Sequence, residues 1–485
     1  MASSTTSSTA SPAARPADAA DAPANPRRRL PAVGEVMARA EVQALVVVYG
    51  RERVLVQVRG ELDRLRAEPE RLRAELDRLR AGSEGEEGPE AGARLEARLR
   101  EGLESAAGLP LRRTINATGI FIHTNLGRAP LPPEVTAALA ARLEAGCDLE
   151  LDLETGRRGD RNRRLERLLC LITGAEAAVV VNNNAAALVL AVACLARDRE
   201  VVVSRGELVE IGGSFRVPDV LEAAGGRLVE VGTTNRTRLD DYARAIGPET
   251  GLLLKVQPSN YLIVGFTESV EEAALAGLSR ASGVPLLVDE GSGLLAPHSA
   301  PQLAAHPSHR SLIDAGCDLV CGSGDKVLGG PQAGLLVGRR ELIGRCRRHP
   351  LFRALRPGRG VIATLDAVLR RHLAGDPMPL DRMWPAPEEH RRRLEQVAQA
   401  LGAEVVEADA YLGGGAAPED AIEGHAIAVE GAGDLLRRLR VGEPPVVGYA
   451  RGGRVILDLR TVDPDDDDVL IQAVGRARDG VSSGG

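Results

Sequence analysis

The chain has 485 residues, 44% hydrophobic and 27% charged, with a formal net charge of -7. That length sets an expectation of two or three globular domains around a large core. The negative balance excludes a chain that is basic throughout, though not one local basic face. An aromatic content of 2% argues against base stacking as the main hold on nucleic acid. No run approaches the roughly 20 apolar residues of a membrane span.

The start, "MASSTTSSTASPAARPADAADAPANP", is small and polar with no apolar core. It reads as a disordered tail over 1–26 rather than a signal peptide. The segment 27–80 repeats apolar residues at helical spacing, with arginines on the other faces. A charged linker, "AGSEGEEGPEAGARLEARLREGLESAAG", turns helical toward its end. Residues 27–110 are therefore expected to form a small arginine-rich helical domain. From about 112 the texture changes to strand-length apolar runs alternating with helical segments. The runs are "AAVVV" (177–181), "EVVVS" (200–204), "RLVEV" (227–231), "GLLLKV" (251–256), "VPLLVD" (284–289), "CDLVCGSG" (317–324) and "AGLLVG" (333–338). Helices are expected from Asn184 to Ala196 and near 270–281. This alternation predicts an α/β domain over 111–375, a large mostly parallel sheet flanked by helices. Residues 376–485 read as a smaller α/β unit carrying "AEVVEAD", "GHAIAVEG" and "GGRVILDLRTV".

Six cysteines (147, 170, 194, 317, 321 and 346) show no paired CxxC spacing. Cys317 and Cys321 flank an apolar strand-like run and are expected to be core thiols, not zinc ligands, and the cysteine usage points to a reducing cytoplasm.

Only two basic residues are lysines, Lys255 and Lys326; every other one is arginine. Lys326 lies in "CGSGDKVLGG", among small residues. A guanidinium stays protonated, whereas an amine can lose its proton and attack a carbonyl, so this position suits Schiff-base chemistry. Asp289 ends a strand, where a carboxylate can keep a pyridine nitrogen protonated. "VNNNAAALVL" turns from strand to helix and offers the N–H groups around Asn183, Asn184 and Ala185 to a phosphate. Ser323 is a second candidate phosphate donor. The order of phosphate loop, aspartate and lysine points to pyridoxal 5'-phosphate on an aspartate-aminotransferase-type fold. Ligands in such sheets bind beyond the carboxyl ends of the strands, where these residues fall.

Longer motifs carry a resemblance. They include "INATGIFIHTNLGRAPL" (115–131), "LDLETGRRGDR" (151–161), "SRGELVEIGGSFRVPDV" (204–220), "VEVGTTNRT" (229–237), "SNYLIVGFTE" (259–268), "DEGSG" (289–293), "GDKVLGGPQAG" (324–334) and "PLFRALR" (350–356). With them the chain resembles the bacterial selenocysteine synthases, the L-seryl-tRNA(Sec) selenium transferases, over nearly everything after the first 25 residues.

The resemblance implies conversion of L-seryl-tRNA(Sec) to L-selenocysteinyl-tRNA(Sec) through an aminoacrylyl intermediate, with selenophosphate as donor. It makes Lys326 the cofactor lysine with Asp325 beside it, and assigns Arg128, Arg353 and Arg356 to selenophosphate. Ser259 and Asn260 are expected near the cofactor ring or the substrate edge. The N-terminal helical domain is expected to dock tRNA through phosphates and shape. Self-association is implied as a ring of dimers, a decamer. Two departures stand out: Arg164 falls where the family pattern has a histidine, and "KVQPSNY" replaces "KVHTSNY". The competing reading is a pyridoxal-phosphate lyase or transferase acting on a small amino acid or amino sugar, which would not need the N-terminal helices. A non-catalytic RNA-binding relative would not need Lys326, Asp289 and the phosphate loop.

Overall fold

The computed structural model describes residues 32–67, 97–103, 111–211, 215–258, 261–416 and 420–479. The expected disordered tail, most of the charged linker, and Ser259 and Asn260 lie outside these residues. The chain divides into two compact units, Met1–Leu111 and Arg112–Gly485.

In the first unit, helices Val33–Met37, Ala40–Tyr49 and Arg51–Ala67 and the helical residues 97–103 surround one small core. Val54, Val58 and Leu62 recur every four residues and so share a helix face. That face packs with Val42, Leu45, Leu99 and Leu103. The nearly buried Glu61 is held by Arg98 at 2.8 Å and Arg64 at 2.9 Å, so arginine stems and heads close the edge of the core.

The second unit is built on a seven-stranded sheet. Its strands are β1 (Ala177–Val181), β2 (Glu200–Ser204), β3 (Arg227–Val231), β4 (Thr250–Val256), β5 (Leu286–Gly291), β6 (Leu319–Ser323) and β7 (Gly334–Gly338). Their order across the sheet is β1-β7-β6-β5-β4-β2-β3. All neighbouring pairs are parallel except those made by β7, which runs antiparallel to both β6 and β1. Alternate residues feed two cores. Val180, Val202, Leu253, Val288 and Val320 join one, while Val179, Val201, Leu252, Leu287 and Leu319 join the other. Strands buried on both faces must read as continuous apolar runs, and that is why these segments were legible in the sequence.

A four-stranded antiparallel sheet follows, formed by β8 (Glu404–Glu407), β9 (His425–Glu430), β10 (Tyr449–Arg451) and β11 (Arg454–Leu457), in the order β8-β9-β11-β10. Helices Pro387–Leu401 and Asp467–Asp479 pack on it. The stretch after the first unit is laced into this region. Ile115 and Asn116 pair with Val446 and Val447, and Ile120–Ile122 pairs with Tyr411–Gly413. Asp458 and Arg460 pin the junction. Both are fully buried, and Arg460 donates to Asp458 and to the Ile422 and Ala408 carbonyls.

Gly334 starts β7 where the backbone of Asn183 crosses it. A Cβ there would lie 2.0 Å from the Asn183 carbonyl oxygen. Backbone at the start of a helix has little room to yield, so Gly334→Ala is expected to destabilise the second unit by about 1–3 kcal/mol. Differential scanning calorimetry checks this, and an unchanged midpoint would show that the loop relaxes freely.

Candidate active site

The carboxyl ends of β1, β5 and β6 bring together Asn182–Asn184, Asp289 and Ser323–Lys326. In parallel register Cys321 on β6 faces Asp289 on β5, and Gly322 then faces Gly291. Glu290 is the extra residue of this bulge. Bulges re-aim side chains next to sites, and here two consecutive acids are both buried at one strand end.

Asp289 accepts a hydrogen bond from Asn184 Nδ2 at 2.8 Å. Burial pushes its carboxyl above the usual range; the Asn184 bond and the Lys326 charge pull the other way. Burial likewise draws the Lys326 amine below its ordinary value, against the attraction of Asp289. Lys326 is 9% exposed, and no hydrogen bond to its amine occurs among the described residues. Lys255 is the opposite case. Its amine donates to the Val270 carbonyl at 2.9 Å and meets Glu207 at 3.3 Å and Glu272 at 3.7 Å. One lysine is saturated by partners and the other is left unsatisfied.

The helix Asn184–Leu195 begins beside this pair. The Asn183 side chain caps it by accepting from Ala186 N at 2.8 Å. The first N–H groups of a helix have no intrahelical partners, so those of Asn184 and Ala185 are open to a ligand. Asn184 Oδ1 is buried without a partner. A phosphate-bearing pyridine cofactor fits these features. The helix start suits the phosphate. A ring-nitrogen proton would neutralise the buried Asp289, and the amine has no competing bond.

Asp325 is locked from two sides. Arg128 Nη1 lies 2.9 and 3.0 Å from its two oxygens, and Ser323 Oγ donates to it at 2.7 Å. Arg128 sits at φ 71, a left-handed conformation uncommon for any residue but glycine. The Ala129 N–H binds the Asp325 carbonyl at 3.2 Å, which fixes the two segments together. Ser323 therefore directs its one proton at Asp325, although the sequence marked it as a phosphate donor.

The three arginines expected to share one anion differ in their partners. Arg128 is on Asp325, Arg356 is on Glu150 at 3.4 Å, and Arg353 is exposed with no partner among the described residues. Arg164, the departure from the family pattern, makes an exposed ion pair with Asp148. Gln257 donates to Glu272 at 2.7 Å.

Sequence reading missed Glu290 and His309. Glu290 accepts from the Gly293 N–H at 2.7 Å and from the Ser292 hydroxyl, closing the turn after β5. His309 Nδ1 lies 3.4 Å from Glu290 Oε2. The adjacent acids of "DEGSG" were the available signal, but their joint burial depends on the bulge.

This is the fold of the aspartate-aminotransferase-type enzymes, the one the sequence led us to expect. The structure of D-glucosaminate-6-phosphate ammonia-lyase superposes with a TM-score of 0.55 at 22% identity, covering 79% of this chain and 99% of that one. The family model for L-seryl-tRNA selenium transferase matches residues 114–463, and that for the selenocysteine synthase N terminal matches 27–66. An L-seryl-tRNA(Sec) selenium transferase from Geobacter sulfurreducens is 41% identical over 92% of this chain and 98% of its own. One from Moorella thermoacetica is 44% identical over 77% of this chain and 83% of its own. The chain belongs to the L-seryl-tRNA selenium transferase family.

Burial pushes the Glu290 carboxyl up to about 7 from an ordinary 4.5, against its hydrogen bonds. The native state thus binds a proton that the unfolded chain has released between those values. The Glu290 contribution to stability therefore falls as pH rises from about 4.5 to about 7. His309, held down to about 4 by burial, gives the opposite slope between about 4 and 6.5. The test is accordingly the difference between proteins. The midpoint of wild type minus that of Glu290→Gln should decrease from pH 5 to pH 8 in cofactor-free protein. A constant difference would mean that Glu290 is ionised throughout.

Proposed function

We propose that this protein converts L-seryl-tRNA(Sec) to L-selenocysteinyl-tRNA(Sec), using selenophosphate and pyridoxal 5'-phosphate. The observation that carries this reading is the buried Lys326 side chain beside Asp289, its amine without a hydrogen bond among the described residues, in a chain matched by the transferase family model along 114–463. When bound, the cofactor supplies an electron sink for carbon-centred charge.

The chain's own residues divide the remaining work. Lys326 would anchor the cofactor, and its amine, whose affinity for protons burial lowers, would take and return a proton near the substrate α-carbon. Asp289 keeps the ring nitrogen protonated, and Asn184 orients that carboxylate. The first turn at Asn183, Asn184 and Ala185 holds the phosphate, with Ser323 buttressing through Asp325. Asp325 fixes the guanidinium of Arg128. Arg128, Arg353 and Arg356 receive selenophosphate, whose tetrahedral oxygens suit planar, bidentate donors. Ser259 and Asn260 border the ring or the substrate. Water exclusion follows from the buried strand ends, which strengthens each of these charges.

The helical unit at 27–110 docks the tRNA. The catalytic domain spans 111–375 and the small C-terminal domain 376–485. We further propose assembly as a ring of dimers, a decamer, in the cytoplasm. Among the described residues no helix is long and apolar enough to cross a membrane.

Lys326→Arg should abolish the yellow absorbance of protein reconstituted with pyridoxal phosphate, because a guanidinium cannot form the linkage. The helical content should be unchanged by circular dichroism. A persisting chromophore, with Lys255 labelled after borohydride reduction, would move the cofactor lysine.

The two substrates should be separable. Arg353→Ala combined with Arg356→Ala should leave seryl-tRNA affinity within about twofold while abolishing selenium transfer. Two charge-assisted contacts are lost at about 1.5–3 kcal/mol each. Removing residues 1–110 should instead abolish tRNA binding together with its salt dependence. Filter binding at two salt concentrations measures both, and equal loss of tRNA affinity in the two variants would assign these arginines to the RNA surface.

A further inference from the structure

Glu150 stands in front of the proposed donor site and has no role in the reading above. It lies on a hairpin closed by the Leu151–Arg158 bridge and by the Gly159 N–H to Glu150 carbonyl bond at 2.9 Å. Three guanidiniums converge on its carboxylate. Arg158 Nη2 meets Oε2 at 2.7 Å, Arg161 Nε meets Oε1 at 2.8 Å, and Arg356 Nη1 approaches Oε1 at 3.4 Å. Arg161 adds a second bond to Oε1 and one to the Pro357 carbonyl at 3.0 Å. The Glu150 carboxyl is held below the usual range, chiefly by Arg161, so it is ionised at neutral pH.

The three contacts are unequal. Arg161 is fixed by several bonds and is 16% exposed. Arg356 makes one long contact through one nitrogen, and its other donors have no partner among the described residues. Three guanidiniums against one carboxylate leave two positive charges, the charge a phosphate-like dianion brings near neutral pH. The position is also right for such a ligand. The carbonyl of Leu355, immediately before Arg356, accepts from the Asn182 N–H at 3.0 Å. This ties Arg356 to the end of β1, where the phosphate-binding turn begins. Arg353, three residues earlier, is exposed and unpartnered.

We propose that Glu150 is the resting counter-ion of the donor site. It holds Arg161 as a fixed wall and occupies Arg356 only until a tetrahedral oxyanion arrives. The incoming dianion then takes the Arg356 donors, while Glu150 stays on Arg161 and Arg158. This rests on the assignment of Arg356 to selenophosphate and adds a competing carboxylate to it. It also makes Arg161 a positioning residue, one that acts by holding Glu150.

The test uses full-length protein saturated with pyridoxal phosphate and free of tRNA. Titration calorimetry then follows inorganic phosphate as the probe. Cofactor loading removes the cofactor's own phosphate site from the measurement, and the absence of RNA removes backbone phosphates. Glu150→Gln should bind phosphate about fivefold more tightly than wild type, since the weak competing ion pair is gone. Glu150→Asp, too short to reach Arg356, should shift in the same direction and serves if the glutamine variant fails to fold. Arg356→Ala should weaken phosphate binding and remove the gain from Glu150→Gln in the double variant. Unchanged or weaker binding by a folded Glu150 variant overturns the counter-ion role while leaving the donor assignment intact. Unchanged phosphate binding in Arg356→Ala overturns the donor assignment itself, and the counter-ion role with it.

Discussion

The second unit is organised around one electrostatic difficulty: an amine and a carboxylate, Lys326 and Asp289, are both about nine-tenths withdrawn from water without bonding to each other. Burial alone drives each toward its neutral form. Left uncompensated, that is a cost of several kcal/mol per ion. The fold tolerates it because Asp289 lies toward the end of one strand and Lys326 follows the end of its parallel neighbour, and the register of the two strands is fixed on both faces by apolar packing. Asn184 partly compensates Asp289, and Asp325 with Glu290 partly compensates Lys326. What remains uncompensated is what the proposed cofactor, a charged ring with its phosphate, would meet.

Arginine supplies the surrounding order. Where a positive charge serves only to hold a carboxylate, this chain uses a guanidinium, as in Arg128–Asp325, Arg161–Glu150 and Arg460–Asp458. Each can make more than one bond in a fixed plane. Lysine is kept for two buried places. At Lys255 two glutamates and a carbonyl absorb the charge, which makes it a strut between β4 and its neighbours. At Lys326 nothing absorbs it fully. The contrast in partners, more than the rarity of lysine, separates the two amines.

Much of the fold was legible because strands buried on both sides cannot hide their composition. All seven central strands were read from apolar runs, and the helix from Asn184 was read to within a residue of its end. Lys326, Asp289 and the asparagine turn, singled out where chemistry restricts residue type, do meet at the strand ends. The site was not legible where residue type is unrestricted. Ser323 looked like an anion donor, but its hydroxyl belongs to Asp325. Glu290 looked like an ordinary neighbour of Asp289, but a bulge buries it too. Arg353 and Arg356 share a motif, yet one is free and the other rests on a hairpin some two hundred positions earlier in the chain.

The sequence by itself determined the order of strands and helices, which lysine is the candidate for Schiff-base chemistry, and the family to which the chain belongs, since these depend on local periodicity and on residue chemistry. Only the tertiary structure decided which charges face each other. It set Lys255 among carboxylates and left Lys326 bare, placed Arg128 on Asp325, and gathered three arginines on Glu150. Electrostatic energy depends on distance and on exclusion of water, and both are set by how strands far apart in the chain come into register.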